Sequence, residues 1–173
     1  MRLETLAIHA GAEPDSETGA VASPLHLSTT FKHGPAGERV AGYEYQREAN
    51  PTQDRLEVCL AALEGGERAL AYASGMAAMA GLLESLPNDS HVLIPCDCYT
   101  GLRYLGAEFL NLRGIETQAI DMSDLQLVSD SLKPNTKLIW AETPSNPLLA
   151  IADIAELARI AHQHGALLAC DNT

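Results

Sequence analysis

The 173 residues are enough for one domain with a sizeable core, or for part of a larger one. A content of 46% hydrophobic and 20% charged residues is that of a globular protein and argues against disorder. The formal charge of -12, with basic residues scattered and never in a run, excludes nucleic acid and anionic membrane as partners. No apolar stretch is long enough to span a membrane and no secretory signal opens the chain, so a cytoplasmic setting is expected.

In chain order, the segment from Gly11 to Gly42 is rich in glycine, holds Pro14, Pro24 and Pro35, and shows no sustained periodicity. A segment of that kind within a compact domain is uncommon unless it does something; residues 1–48 are expected to form an arm that packs on another subunit. Asn50 and Pro51 then predict a helix start, with Leu56, Leu60 and Leu63 on one stripe and Gly65-Gly66 as its stop. From Ala69 onward the pattern alternates. Strands are expected at Ala69–Ala73, His91–Pro95, Glu116–Ile120, Lys137–Ala141 and Ala166–Cys170. Helices are expected at Met76–Leu86, Thr100–Leu112, Ser123–Leu132 and Ile151–His164. Short strands alternating with longer helices predict an α/β fold with a mainly parallel sheet covered on both faces.

Several strings fall at strand ends, where such folds place their chemistry. Ser74-Gly75-Met76 lies between a strand and a helix. It is either an ordinary turn or a place where helix-start N–H groups meet an anion. Asp171 ends an apolar strand, either capping a loop or receiving the protonated ring nitrogen of a cofactor such as pyridoxal phosphate (PLP). Tyr99 is either a half-buried core residue or one that stacks on a planar ring. Glu142-Thr-Pro-Ser-Asn-Pro147 is a rigid turn that holds the Asn146 amide, structurally or toward a ligand. Tyr43-Glu-Tyr-Gln-Arg47 supplies a guanidinium fork and hydroxyls, for a phosphate or for an interface. Four cysteines are present, but Cys96-Asp-Cys98 is too close for a zinc knuckle and no second pair completes one, so no metal is expected. No Gly-x-Gly-x-x-Gly or Gly-Lys-Ser/Thr loop supports a nucleotide site.

Taken in order, Tyr45-x-Arg47-x-x-Asn50-Pro51-Thr52, Leu63-Glu-Gly-Gly66, Ser74-Gly-Met-Ala-Ala78, Asp97-Cys-Tyr99, Glu142-Thr-Pro-Ser-Asn-Pro147 and Asp171-Asn-Thr173 resemble the Cys/Met-metabolism family of PLP enzymes. The resemblance runs from about Leu3 to Thr173. It implies a fold-type I PLP-dependent transferase-like domain in which residues 49–173 are the first part of the large PLP-binding domain. It also implies a homodimer or homotetramer with shared active sites, an amino-acid substrate and trans-sulfuration chemistry. The γ-synthase-like members are the nearest in Pro24-Leu-His-Leu-Ser28 and Asp97-Cys-Tyr99; γ-lyases, β-lyases and methionine γ-lyases are the alternatives.

By resemblance, Ser74, Gly75 and Met76 bind the cofactor phosphate, and Tyr45 and Arg47 reach the phosphate in the neighbouring subunit. Tyr99 stacks on the ring and assists proton transfer, Asn146 contacts the ring oxygen, and Asp171 pairs with the pyridine nitrogen. Two departures stand out. The family's Tyr-Gly-Gly-Thr-Tyr-Arg run is here Tyr99-Thr-Gly-Leu-Arg-Tyr104. The family's Schiff-base lysine lies in a Ser-x-Thr-Lys string downstream of Asp-Asn-Thr, and the only lysines here are Lys32, Lys133 and Lys137. These 173 residues by themselves are therefore expected to be a truncated, inactive part of such an enzyme.

Overall fold

The computed structural model describes all of residues 1–173 and divides the chain after Tyr72. In the first unit, α1 (Leu3–His9) has no side-chain cap and buries no residue; nothing in its short sequence signalled a helix. The predicted second helix forms as α2 (Pro51–Glu64). Asn50 accepts the Thr52 N–H at 2.9 Å, and Gly65 ends the helix in the left-handed conformation at φ 64°. Its apolar stripe stays largely uncovered, with Leu56 and Leu60 51% and 40% exposed.

The irregular segment before α2 carries only two isolated antiparallel bridges, Thr30 with Tyr45 and His33 with Arg39. It is tied to the start of α2 instead. The Tyr43 hydroxyl donates to Asp54 at 2.7 Å, and the His26 N–H donates to the Thr52 hydroxyl at 2.9 Å. The Asn50 amide donates to the His26 carbonyl at 3.1 Å. The strand expected at Ala69–Ala73 does not form. No neighbouring strand pairs with it; the Ala71 N–H donates to the Glu57 carboxylate at 2.8 Å instead.

The second unit, Ala73–Thr173, holds a four-stranded sheet in the order β2-β1-β3-β4. The strands are β1 (His91–Pro95), β2 (Glu116–Ile120), β3 (Thr136–Glu142) and β4 (Leu167–Asp171), and every pairing is parallel. Alternate side chains feed two cores. Val92, Ile94, Leu138 and Trp140 face α3 (Gly75–Glu84) and α4 (Thr100–Tyr104), meeting Met79, Leu83 and Leu102. Leu93, Ile139 and Ala141 face α5 (Leu125–Asp130) and α6 (Ile154–Gln163), meeting Val128, Leu157 and Ala161. The helices thus cover both faces, as the alternating pattern predicts. Each fully buried leucine is worth about 1.5–3 kcal/mol in removed apolar surface.

The helix expected at Thr100–Leu112 is broken into α4, a wider π turn at Leu105–Phe109 and a 3-10 turn at Leu110–Arg113. Leu102, Gly106 and Leu110 are the buried positions, spaced by four, which exceeds the 3.6 residues of an α turn. The wider turn keeps them on one line, and Gly106 is pressed so near β2 that a Cβ there would lie 2.6 Å from Thr117 Oγ1.

Helices α5 and α6 start later than their apolar patterns suggest. Asp124 and Asp153 cap them by accepting the N–H of Leu127 and Glu156, leaving Ile151 outside and 67% exposed. The two sheet edges differ. Strand β2 carries Glu116, ion-paired with Lys133 at 2.6 Å, whereas β4 is apolar until Asp171. Being an edge, β4 leaves Leu167 57% exposed and Cys170 exposed too, where a buried strand was expected.

His91 opens β1 fully buried between its neighbours. Its Nδ1 lies 2.8 Å from the Thr136 hydroxyl, and its Nε2 lies 3.2 Å from Gln118 Oε1. Gln118 Oε1 can only accept, so Nε2 carries the proton of the neutral ring, and the Thr136 hydroxyl, whose oxygen accepts the Lys133 N–H, donates to Nδ1. Burial, aided by the Lys133 charge and opposed by Glu116, holds the imidazole below its usual range. The unfolded chain therefore takes up the proton first, and stability falls as pH drops below about 6.5, levelling once the folded ring is protonated. Urea midpoints between pH 7.5 and 5 should show this fall in the parent, and the fall should be shallower in His91→Gln.

Candidate functional site

The residues before α3 are built to leave donors free. Ser74 is extended, its side chain accepts the Ala77 N–H at 3.1 Å, and its carbonyl accepts the Ala78 N–H. That leaves the Gly75 and Met76 N–H groups at the helix start with no protein partner. No atom lies within 4 Å of where a Gly75 Cβ would sit, so glycine keeps the approach to those donors open.

Across from this helix start, the β3 and β4 strand ends are in register, with Glu142 beside Asp171. The Thr143 N–H donates to the Asp171 carbonyl at 3.0 Å, carrying the ladder one step further. The half-buried Asp171 turns its carboxylate into the loop that follows. Oδ1 accepts from the Thr173 N–H at 3.0 Å and its hydroxyl at 2.6 Å, while Oδ2 has no partner.

The turn after β3 contains two cis peptide bonds, Thr143–Pro144 and Asn146–Pro147. Nearly every polar group in it is satisfied internally. Ser145 donates its hydroxyl to Asp97 and accepts the Ala150 N–H at 2.8 Å. Asp97 also accepts the Leu148 N–H at 3.0 Å, and the Thr143 hydroxyl accepts the Ala152 N–H at 3.1 Å. Glu142, only 6% exposed, accepts the Tyr99 N–H on one carboxylate oxygen and the Asn146 N–H on the other, both at 2.8 Å.

These parts surround one cavity of about 610 Å³. Ser74, Gly75 and Met76, Tyr99, Glu142, Asn146 and Asp171 to Thr173 all line it. Six of the eight residues singled out from the sequence therefore line the same space. The other two, Tyr45 and Arg47, belong to the first unit, where the Arg47 guanidinium lies over the Tyr45 ring at 5.0 Å from its centroid and makes no ion pair.

Two further contributors carry weaker sequence signals. Glu142 ends an apolar strand just as Asp171 does, but the proline turn that follows drew attention to Asn146 instead. Gly101 has no polar signature at all. A Cβ there would come within 2.5 Å of Tyr99 Cε1 and nearer still to Met76 Sδ, so its absence lets those two side chains pack together. Cys98, buried nearby, is held above the usual thiol range mainly by burial, which keeps it protonated and makes it a packing group rather than a nucleophile.

The arrangement suits an anionic, planar, nitrogenous ligand. Free helix-start donors suit an anion, Tyr99 offers an aromatic ring, and a free carboxylate oxygen suits a cationic nitrogen. A space of this size is ordinary for a small cofactor.

Comparison with known proteins agrees with this chemistry. Residues 4–173 match the model of the Cys/Met metabolism PLP-dependent enzyme family. The chain is 44% identical to a probable cystathionine gamma-synthase of Herpetosiphon aurantiacus, over 98% of its own length and 53% of the relative's. It is 42% identical to a cystathionine gamma-lyase of Bacillus subtilis, over 100% and 45%. The crystal structure of metB from Corynebacterium glutamicum superposes with a TM-score of 0.93 at 40% identity, over 100% of this chain and 45% of that one. The chain thus spans about half the length of the relatives it matches. By motif, fold and the donor set of its cavity, it belongs to the Cys/Met metabolism family of pyridoxal-phosphate-dependent enzymes.

Proposed function

We propose that these residues form the cofactor-binding part of a trans-sulfuration enzyme, γ-synthase-like, which replaces the γ-substituent of an activated homoserine with the thiol of cysteine. The γ- and β-lyase reactions are the alternative. Relatives named for synthase and lyase activities lie at 44% and 42% identity, so the assignment to one reaction rests on the local strings alone. The observation that carries the proposal is that one cavity is lined both by the α3 start, with its free N–H groups, and by Asp171, with one free carboxylate oxygen.

In this reading, the Gly75 and Met76 N–H groups hold the phosphate, with the α3 dipole adding to the attraction. Tyr99 stacks on the ring and the Asn146 amide donates to its oxygen. Asp171 Oδ2 keeps the pyridine nitrogen protonated. Bound there, pyridoxal phosphate supplies an electron sink for charge developing on the carbon next to the substrate amine. None of the three lysines lines the cavity, and Lys133 is engaged with Glu116, so these residues hold the cofactor without a covalent bond.

The proposal extends to assembly. Residues 1–48 serve as an arm that carries Tyr45 and Arg47 to the phosphate of a neighbouring subunit, within a homodimer or homotetramer. The unpaired Arg47 guanidinium and the uncovered apolar stripe of α2 support this. Residues 49–173 then belong to the large domain. Four unpaired thiols are in keeping with a reducing, cytoplasmic setting.

Pyridoxamine 5′-phosphate, which cannot condense with lysine amines, should bind the 173-residue chain and acquire induced circular dichroism. Asp171→Asn should weaken that binding roughly tenfold or more by removing the ion pair to the ring nitrogen. Binding unaffected by Asp171→Asn would sink the assignment. Gly101→Ala should shift the Tyr99 ring resonances and weaken binding severalfold. Because the side chains that the new Cβ would meet, Met76 and Tyr99, are half-buried and 43% exposed respectively, the substitution should alter the unfolding free energy by no more than about 1 kcal/mol.

A further inference from the structure

We propose that Glu142 is the positioning residue of this cavity, setting through its two carboxylate oxygens where Tyr99 and Asn146 stand. The inference rests on the cofactor-site reading above and goes beyond it, because Glu142 acts through its neighbours.

A buried carboxylate needs a reason, since a well-packed apolar residue in its place usually costs the fold less. Glu142 is 6% exposed and forms no ion pair; its charge is met instead by backbone N–H groups. Oε2 accepts from Tyr99 and Oε1 from Asn146, both at 2.8 Å. Those donors are 43 and 4 residues away in sequence, on the loops after β1 and β3. A carboxylate is the one side chain at this length that presents two acceptors side by side. Glutamine would turn a donor toward one of the two N–H groups, and leucine would satisfy neither.

Position completes the case. Glu142 is in register with Asp171 and lines the same cavity, but Glu142 has both carboxylate oxygens engaged by the flanking loops whereas Asp171 keeps Oδ2 free. Tyr99 and Asn146 are thereby referenced to the sheet, whereas the helix start of α3 is set by the Ser74 cap and shares no hydrogen bond with Glu142. A role in positioning and a general role in stability consequently predict different things for the two ends of the ligand.

The test compares the parent 173-residue chain with Glu142→Gln, using amide resonances, inorganic phosphate and pyridoxamine 5′-phosphate. In the variant, the Tyr99 and Asn146 amide protons should move upfield. Inorganic phosphate, read at the Gly75 and Met76 amides, should bind within about twofold of the parent. Pyridoxamine 5′-phosphate should bind roughly tenfold more weakly and lose most of its induced ellipticity per molecule bound.

Unchanged ellipticity, or an equal weakening of both ligands, would overturn the proposal in favour of a purely structural carboxylate. If the parent binds neither ligand, the cofactor-site reading itself fails and takes the proposal with it, an outcome distinct from a defect confined to the variant. Should Glu142→Gln not fold, Glu142→Asp, which keeps the charge but spans only one loop, should give the same split between phosphate and ring. If that variant also fails to fold, Glu142 is a stability residue and the proposal is wrong.

Discussion

The pairing of β3 with β4 is the constraint from which the site follows. Five consecutive residues are in parallel register, from Leu138 beside Leu167 to Glu142 beside Asp171, and the Thr143 N–H continues the ladder to the Asp171 carbonyl. A slip of one residue would exchange the faces of every side chain on β4, turning Asp171 away from α3 and Leu168 out of its core. The apolar alternation of β3 makes that slip costly, because Leu138 and Trp140 belong to one core and Ile139 and Ala141 to the other. Packing that stabilises the sheet therefore also delivers the acidic groups to their places.

Around this frame, the loops spend polar groups on one another rather than on water. Asp97, Ser145 and Ala150 form a chain of hydrogen bonds, Thr143 closes onto Ala152, and Glu142 bridges two loops. Among the groups lining the cavity, two N–H groups at the start of α3, one oxygen of Asp171, the Asn146 side-chain amide and the Tyr99 hydroxyl have no protein partner. They are open to solvent rather than buried, and all line the one cavity, where a ligand could take the place of water.

Much of this was legible in the residues themselves. Strands β1 and β2 have the limits that their apolar runs and flanking turns predict, and Asn50 and Gly65 mark the two ends of α2. Ser74, Tyr99, Asn146 and Asp171 fall at or after expected strands, where each is ambiguous alone, and it is the ordered set of strings resembling the family that singles them out. Other features depend on partners that local sequence does not name. Ala69–Ala73 has the composition of a strand but lacks a neighbour to pair with. The break after Tyr104 comes from the close approach of Gly106 to Thr117, a contact between separate elements. Asp153 outweighs the apolar Ile151 in setting where α6 begins, since a cap satisfies backbone that a side-chain pattern ignores. The double use of Glu142 needed two loops to be seen together.

The unequal edges of the sheet bear on how the chain behaves in solution. At one side, the charge on Glu116 and its ion pair discourage a second strand from adding to β2. At the other, β4 is apolar and carries no charge before Asp171, with Leu167 and Cys170 exposed. Repulsion between copies from the net charge of -12 reaches only over distances that dissolved ions leave unscreened, about 8 Å at physiological strength. Raising ionic strength therefore weakens that repulsion and leaves short-range contacts to decide how copies meet.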